Sequence, residues 1–200
     1  KTTVKFACGR EGRILKPVSD TCLYCYLPAK KARLGLPFLL NTDMIPTGPR
    51  DDIEELDVNF EICKIAGYKL VEWLQQLAES AQYEYDSIFS LIPSFDSVTN
   101  YEVFIDNLRD GFSEAIEEIE FIPVLEDGKV ELKNISKIIY DSTGLASSGI
   151  MSDEEILSFA NGSEWTTCDD EFFAHPDLRC KPNYKAFISE YHADNMEFSE

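Results

Sequence analysis

Arg50 is the residue whose type and setting most suggest chemistry. It closes a loop of turn residues, Pro46, Thr47, Gly48 and Pro49, and is followed at once by Asp51 and Asp52. Upstream, Leu36 to Leu40 is an apolar run short enough for a buried strand. Downstream, a long helical pattern begins. A cation held between a buried strand and a helix start is well placed to reach a ligand. The competing expectation is that Arg50 merely pairs at the surface with Asp51 or Asp52.

Other reactive side chains are sparse. The two histidines, His175 and His192, have no acid, Ser or Cys beside them at a spacing that specifies a hydrolytic triad. Cys168, His175, Cys180 and His192 have the right chemistry for zinc, but spacings of seven, five and twelve match no ordinary finger. His175-Pro176-Asp177-Leu178 reads instead as a capped turn, and no metal site is expected. Cys22 and Cys25 have CxxC spacing, yet residues three apart on a strand point to opposite faces. The six cysteines read as free thiols in a cytoplasmic protein, and Cys8, Cys22, Cys25 and Cys63 as packing residues.

Composition bounds the rest. A chain of 200 residues with 44% hydrophobic and 12% aromatic content can bury a sizeable core. A net charge of −19 argues against a nucleic-acid-binding face and against adhesion to anionic membranes. No apolar run approaches the length of a membrane span. The chain starts at Lys1 without a signal-peptide pattern, which suggests a processed leader or a piece of a longer protein.

The elements that must position these residues follow from periodicity. Thr2 to Cys8 alternates as a half-buried strand. Gly9 to Gly12 reads as a turn, Arg13 to Pro17 as a returning arm, Thr21 to Leu27 as a third strand and Leu36 to Leu40 as a fourth. From Asp57, an expected N-cap, the stripe Cys63, Ala66, Leu70, Trp73, Leu77 and Ala81 predicts a helix, with close packing at Gly67. Ile88 to Ile92 suggests a short helical turn, and Ser94 to Ser97 a joint.

Thr99 with Glu102 predicts a capping box before the stripe Tyr101, Phe104, Ile105, Leu108, Phe112, Ala115, Ile116 and Ile119. Glu114, Glu117, Glu118 and Glu120 read as a solvated face. Phe121 to Leu132 predicts a hairpin through Gly128, with another strand at Lys137 to Tyr140 and a loop at Asp141 to Gly149. Ser152 caps a helix from Glu155 to Ala160, and Lys185 to Met196 forms the last helix. The class is α+β, a mixed sheet covered by helices followed by a smaller α/β lobe, with domains at 1–95 and 96–200.

Residues 21–55 resemble a segment of the sacsin-like GHKL ATPases, relatives of the ninety-kilodalton heat-shock chaperones. The resemblance is carried by Leu27-Pro28, Leu36-Pro37-Phe38, Asn41, Asp43 and Arg50-Asp51-Asp52. Asn59 matches a position often preceded by Trp in that family, where Val58 stands here. Residues 121–142 look like the continuation. The resemblance implies a chaperone-middle-domain-like fold, with Asn41, Asp43 and Arg50 facing nucleotide and Arg50 reaching the γ-phosphate. ATP and Mg would be held by a separate N-terminal domain of the same polypeptide, because the family's acid-to-Asn helix and Asp-x-Gly-x-Gly loop are absent here. Glu190 to Asn195 superficially resembles the first of these, one residue too long.

The chain alone is therefore not expected to be an enzyme or to bind a cofactor, but to serve as part of an ATPase with protein clients. Two other readings stand beside it. One is a nucleotide-independent acidic interaction module that recruits basic partners. The other is an acidic imitation of nucleic acid.

Overall fold

In the computed structural model, residues 2–95, 100–126, 128–139, 155 and 171–191 are described. The alternating start of the chain forms β1 (Val4–Ala7), with Val4 and Phe6 half-buried and Lys5 and Ala7 exposed. A tight hairpin follows, β2 (Gly9–Glu11) and β3 (Ile14–Lys16), paired Glu11 to Ile14. The turn is thus Gly12-Arg13, shorter than the Gly9 to Gly12 turn expected, and Gly12 takes the left-handed φ of 60° that such a turn favours.

The expected third strand is split. β4 (Leu23–Cys25) reverses at Tyr26, whose φ is 62°, and returns as β5 (Leu27–Ala29). Pro28 does not end a strand but lies within β5, which is possible because β5 is the sheet edge, where a missing N–H breaks no ladder bond.

The next strand, β6 (Leu39–Thr42), starts later than Leu36, although Leu36 and Phe38 are buried as expected. β6 pairs antiparallel with β1 and parallel with β4, giving a mixed sheet of order β1-β6-β4-β5. Its covered face meets helix α1 (Asp57–Glu79), where the Trp73 ring stacks on Phe6 at 5.1 Å and meets Phe38 edge-on at 5.9 Å.

α1 starts at Asp57 itself, with Leu56 at the cap position and no side-chain cap bond, so Asp57 is not the N-cap. Its buried arc is wider than the expected stripe. Ile62, Val71 and Leu74 are buried too, Trp73 and Leu77 only partly, and Ala81 lies beyond the helix. Val71 and Leu74 share the side of Gly67, where α3 (Glu102–Glu118) crosses α1 at Gly67 and Gly111. A methyl group on either glycine would collide with the other helix's backbone, which accounts for the close packing expected at Gly67. The α3 stripe is buried from Phe104 to Ile116 as expected. Its cap position is Tyr101.

Between these helices, α2 (Tyr85–Phe89) is tied to the first hairpin by Leu15 N donating to Ser87 Oγ at 3.1 Å. The second half adds β7 (Ile122–Glu126) and β8 (Lys129–Lys133) as the expected hairpin. Then come β9 (Ile138–Ile139) parallel to β10 (Phe172–Phe173), α4 (Pro176–Arg179) and α5 (Pro182–Tyr191). The last helix begins at Pro182, ahead of the Lys185 expected.

The architecture is α+β. Phe89 lies 6.0 Å from Phe121 and 5.3 Å from both Tyr184 and Phe187, so one aromatic group spans the boundary expected after residue 95. Among the described residues no helix is long and apolar enough to cross a membrane. The expected cap at Thr99, the loop 141–149, the capping box at Ser152, Cys168 and His192 lie outside the described residues, as does the helix 155–160 except for Glu155.

Candidate functional site

The loop that carries Arg50 is built from both ends. Where it leaves the sheet, Thr42 and Met44 are buried. Asn59, in the first turn of α1 and fully buried, clamps it from below. Ile45 N donates to Asn59 Oδ1 at 2.8 Å, and Asn59 Nδ2 donates to the carbonyls of Ile45 at 2.9 Å and Glu54 at 2.8 Å. One buried amide thus spends its acceptor and both donors on the two arms of the loop, which is how a buried polar side chain avoids a desolvation cost.

Above the clamp the arms pair. Pro46 bridges Ile53, Thr47 N donates to the Asp52 carbonyl at 3.0 Å, and Arg50 N donates to the Thr47 carbonyl at 2.8 Å. Arg50 sits at the tip, exposed, with a φ of 61°. A non-glycine residue in that region costs of order 1–3 kcal/mol and is held there by its surroundings.

The two acids after Arg50 are engaged elsewhere. Lys31 Nζ lies 2.6 Å from Asp51 Oδ2, and Lys31 N donates to the Asp51 carbonyl at 2.7 Å. The bond to Lys31 holds the Asp51 carboxyl below its ordinary value, and the bond to Asp51 raises Lys31. Asp52 Oδ1 accepts from Ile53 N at 2.9 Å and from the Tyr101 hydroxyl at 2.8 Å. That hydroxyl is also 2.9 Å from the Lys31 carbonyl. Burial, and then the Asp52 carboxylate, push the Tyr101 phenol up to about 12, so it stays a donor. Among the described residues no hydrogen bond or ion pair holds the Arg50 side chain. The expected surface pairing of Arg50 with Asp51 or Asp52 is therefore not the arrangement observed.

Asn41 and Asp43 are placed differently. Asn41 Oδ1 accepts from Tyr26 N at 3.3 Å and supports the reversal between β4 and β5. Asp43 Oδ2 accepts from Thr3 N at 2.7 Å. Neither bonds to Arg50, and none of the three lines the cleft of about 590 Å³ beside the loop, walled by Asp20, Lys31, Arg33, Leu36, Pro37 and Tyr101. Arg33 in that wall is paired with Asp20.

The remaining candidates are local. Cys25 is buried on β4 while Cys22 is half-buried, and Cys8, Cys22, Cys25 and Cys63 are free thiols. Burial raises Cys25 to about 11 and Cys63 to about 12. His175 caps α4, its Nδ1 accepting from Asp177 N at 3.2 Å, and Cys180 follows that helix. On the acidic face of α3, Lys64 pairs with Glu114 at 3.0 Å and the Tyr68 hydroxyl donates to Glu118 at 2.8 Å. Lys31 and Tyr101 are the site residues that sequence reasoning missed as partners of the loop. No local spacing marks them, since each joins the loop through the tertiary fold. Comparison of the chain with protein-family models, curated proteins and solved structures finds no match.

Proposed function

We propose that this chain is a middle domain of an ATP-driven, chaperone-like GHKL protein. It carries Arg50 to the γ-phosphate of ATP, which with Mg is held by a separate N-terminal domain of the same polypeptide. One observation carries the reading: Arg50 is exposed at the tip of a loop bonded on every side, while both neighbouring acids are taken by Lys31 and Tyr101. A guanidinium presented in this way offers a fixed charge and paired donors to a phosphate. Phosphoryl transfer responds to positioned charge of that kind.

The chain contains no glycine-rich phosphate loop, so its part is to contribute the arginine and not the nucleotide pocket. Asn59 and Tyr101 join the loop to the starts of α1 and α3, a route by which nucleotide state would reach the helices and then protein clients. Asn41 and Asp43 enter the proposal as supports of the strand before the loop. The proposed setting is cytoplasmic, where free thiols persist.

The test is Arg50→Ala in the parent ATPase and in this chain. The chain should melt as wild type, since a surface change of this kind shifts stability by under about 0.5 kcal/mol. Turnover of the parent should fall at least about tenfold with ATP affinity nearly unchanged, because the lost contact belongs to the transition state. Normal melting with untouched turnover would overturn the proposal and move the acidic interaction module ahead of it.

A further inference from the structure

We infer that Tyr101 and Lys31 are positioning residues that keep Arg50 available by occupying the two carboxylates beside it. The biological meaning of this rests on the proposed role of Arg50, but its chemistry stands apart from any nucleotide.

A flexible loop with the order Arg-Asp-Asp would quench itself, because opposite charges one or two residues apart meet readily at a surface. Here each carboxylate is drawn off in a fixed direction. The Lys31–Asp51 ion pair is set up by the backbone bond from Lys31 N to the Asp51 carbonyl, which holds the two segments side by side. Asp52 is turned toward α3 by Tyr101, whose hydroxyl stands between Asp52 Oδ1 at 2.8 Å and the Lys31 carbonyl at 2.9 Å. The Tyr101 ring is anchored edge-on to Phe104 at 6.1 Å, and Phe104 meets Phe60 of α1 at 4.9 Å. The hydroxyl therefore moves with the start of α3. Any displacement of α3 from the loop would release Asp52 and let it pair with Arg50. The availability of the arginine is thereby coupled to the packing of a helix that does not carry it.

The test is the rate at which phenylglyoxal modifies Arg50 in this chain, read by mass spectrometry against Arg13 of the first hairpin. Tyr101→Phe keeps the ring and removes the hydroxyl. It should slow Arg50 modification about threefold, the population effect expected of a new exposed ion pair. Lys31→Gln, which frees Asp51, should slow it similarly and carries the test if Tyr101→Phe fails to fold. In an Asp52→Asn background the effect of Tyr101→Phe should vanish, because no carboxylate is left there to quench the guanidinium. An unchanged Arg50 rate in a folded Tyr101→Phe or Lys31→Gln chain overturns the inference. So does a slowing by Tyr101→Phe that persists with Asn at position 52. If Arg50 has no role in turnover, these rates are unaffected, so the two failures are distinguishable.

Discussion

The crossing of α1 and α3 makes Gly67→Ala a demanding test of the packing. A methyl group at Gly67 would fall within the contact shell of the Leu108 carbonyl oxygen, 2.9 Å from the Leu108 carbonyl carbon and 2.8 Å from Phe112 N. Every one of these atoms is backbone, so no side-chain rotation relieves the clash. Ordinary carbon contacts lie near 3.5–4.0 Å, so the helices must part by roughly 1 Å. The side chains that flank the crossing, Val71 on α1 and Leu108 and Phe112 on α3, are fully buried, so the layer that opens is apolar.

Overpacking of this kind costs about 1–3 kcal/mol, and backbone against backbone belongs at the upper end. Alanine's better helix propensity returns about 1 kcal/mol, leaving a net loss of about 2 kcal/mol. With a urea dependence of about 2 kcal/mol per molar, the midpoint followed by far-ultraviolet circular dichroism should fall by about 1 M. Gly48→Ala is the control, since a methyl group there meets nothing within 4 Å. Its midpoint should stay at wild type or rise slightly, as removing a glycine restrains the unfolded chain. If Gly67→Ala unfolded at the same urea concentration as wild type or a higher one, the crossing described here would be wrong.

The clamp and the thiols give further expectations. Asn59→Ala removes three bonds from the Arg50 loop and leaves buried groups unpaired, so stability should fall by about 2–3 kcal/mol. The amides of Ile45 and Glu54 should then exchange faster with deuterium, and unchanged exchange would show that Asn59 does not hold the loop. Alkylation of the folded chain at pH 8 should reach exposed Cys180 well before Cys25 and Cys63, whose pKa values are pushed up by burial. Because those folded values of about 11 and about 12 exceed the ordinary thiol value of 9.0, the unfolded chain gives up these protons first. The stability tied to the neutral thiols is then complete below about pH 9 and lost as pH rises toward the folded values. Equal labelling of the three thiols, or an alkaline melt that is insensitive to Cys63→Ala, would contradict this.

How much of the molecule is legible in its sequence depends on how many neighbours each element has. α3 buries one face, so the 3.6-residue period from Phe104 to Ile116 reads directly. α1 lies between the sheet and α3, and its buried arc exceeds one stripe, which is why Ile62, Val71 and Leu74 escape a reading for periodicity. Gly67 stands out inside an apolar stripe, whereas Gly111 beside Asp110 gains its meaning only from the helix it touches. Helix starts misled for a related reason. Asp57 has the chemistry of a local cap, yet the side-chain bonds at the starts of α1 and α3 are tertiary, made by Asn59 to Ile45 and by Tyr101 to Asp52. The same substitution of distant partners for near ones governs the candidate site. Arg50 could be picked out as a loop cation, and its adjacent acids suggested how it would be spent. The backbone bond from Lys31 to Asp51 and the reach of Tyr101 from α3 decide otherwise, because a partner already fixed by the fold loses less freedom on pairing than a mobile neighbour does.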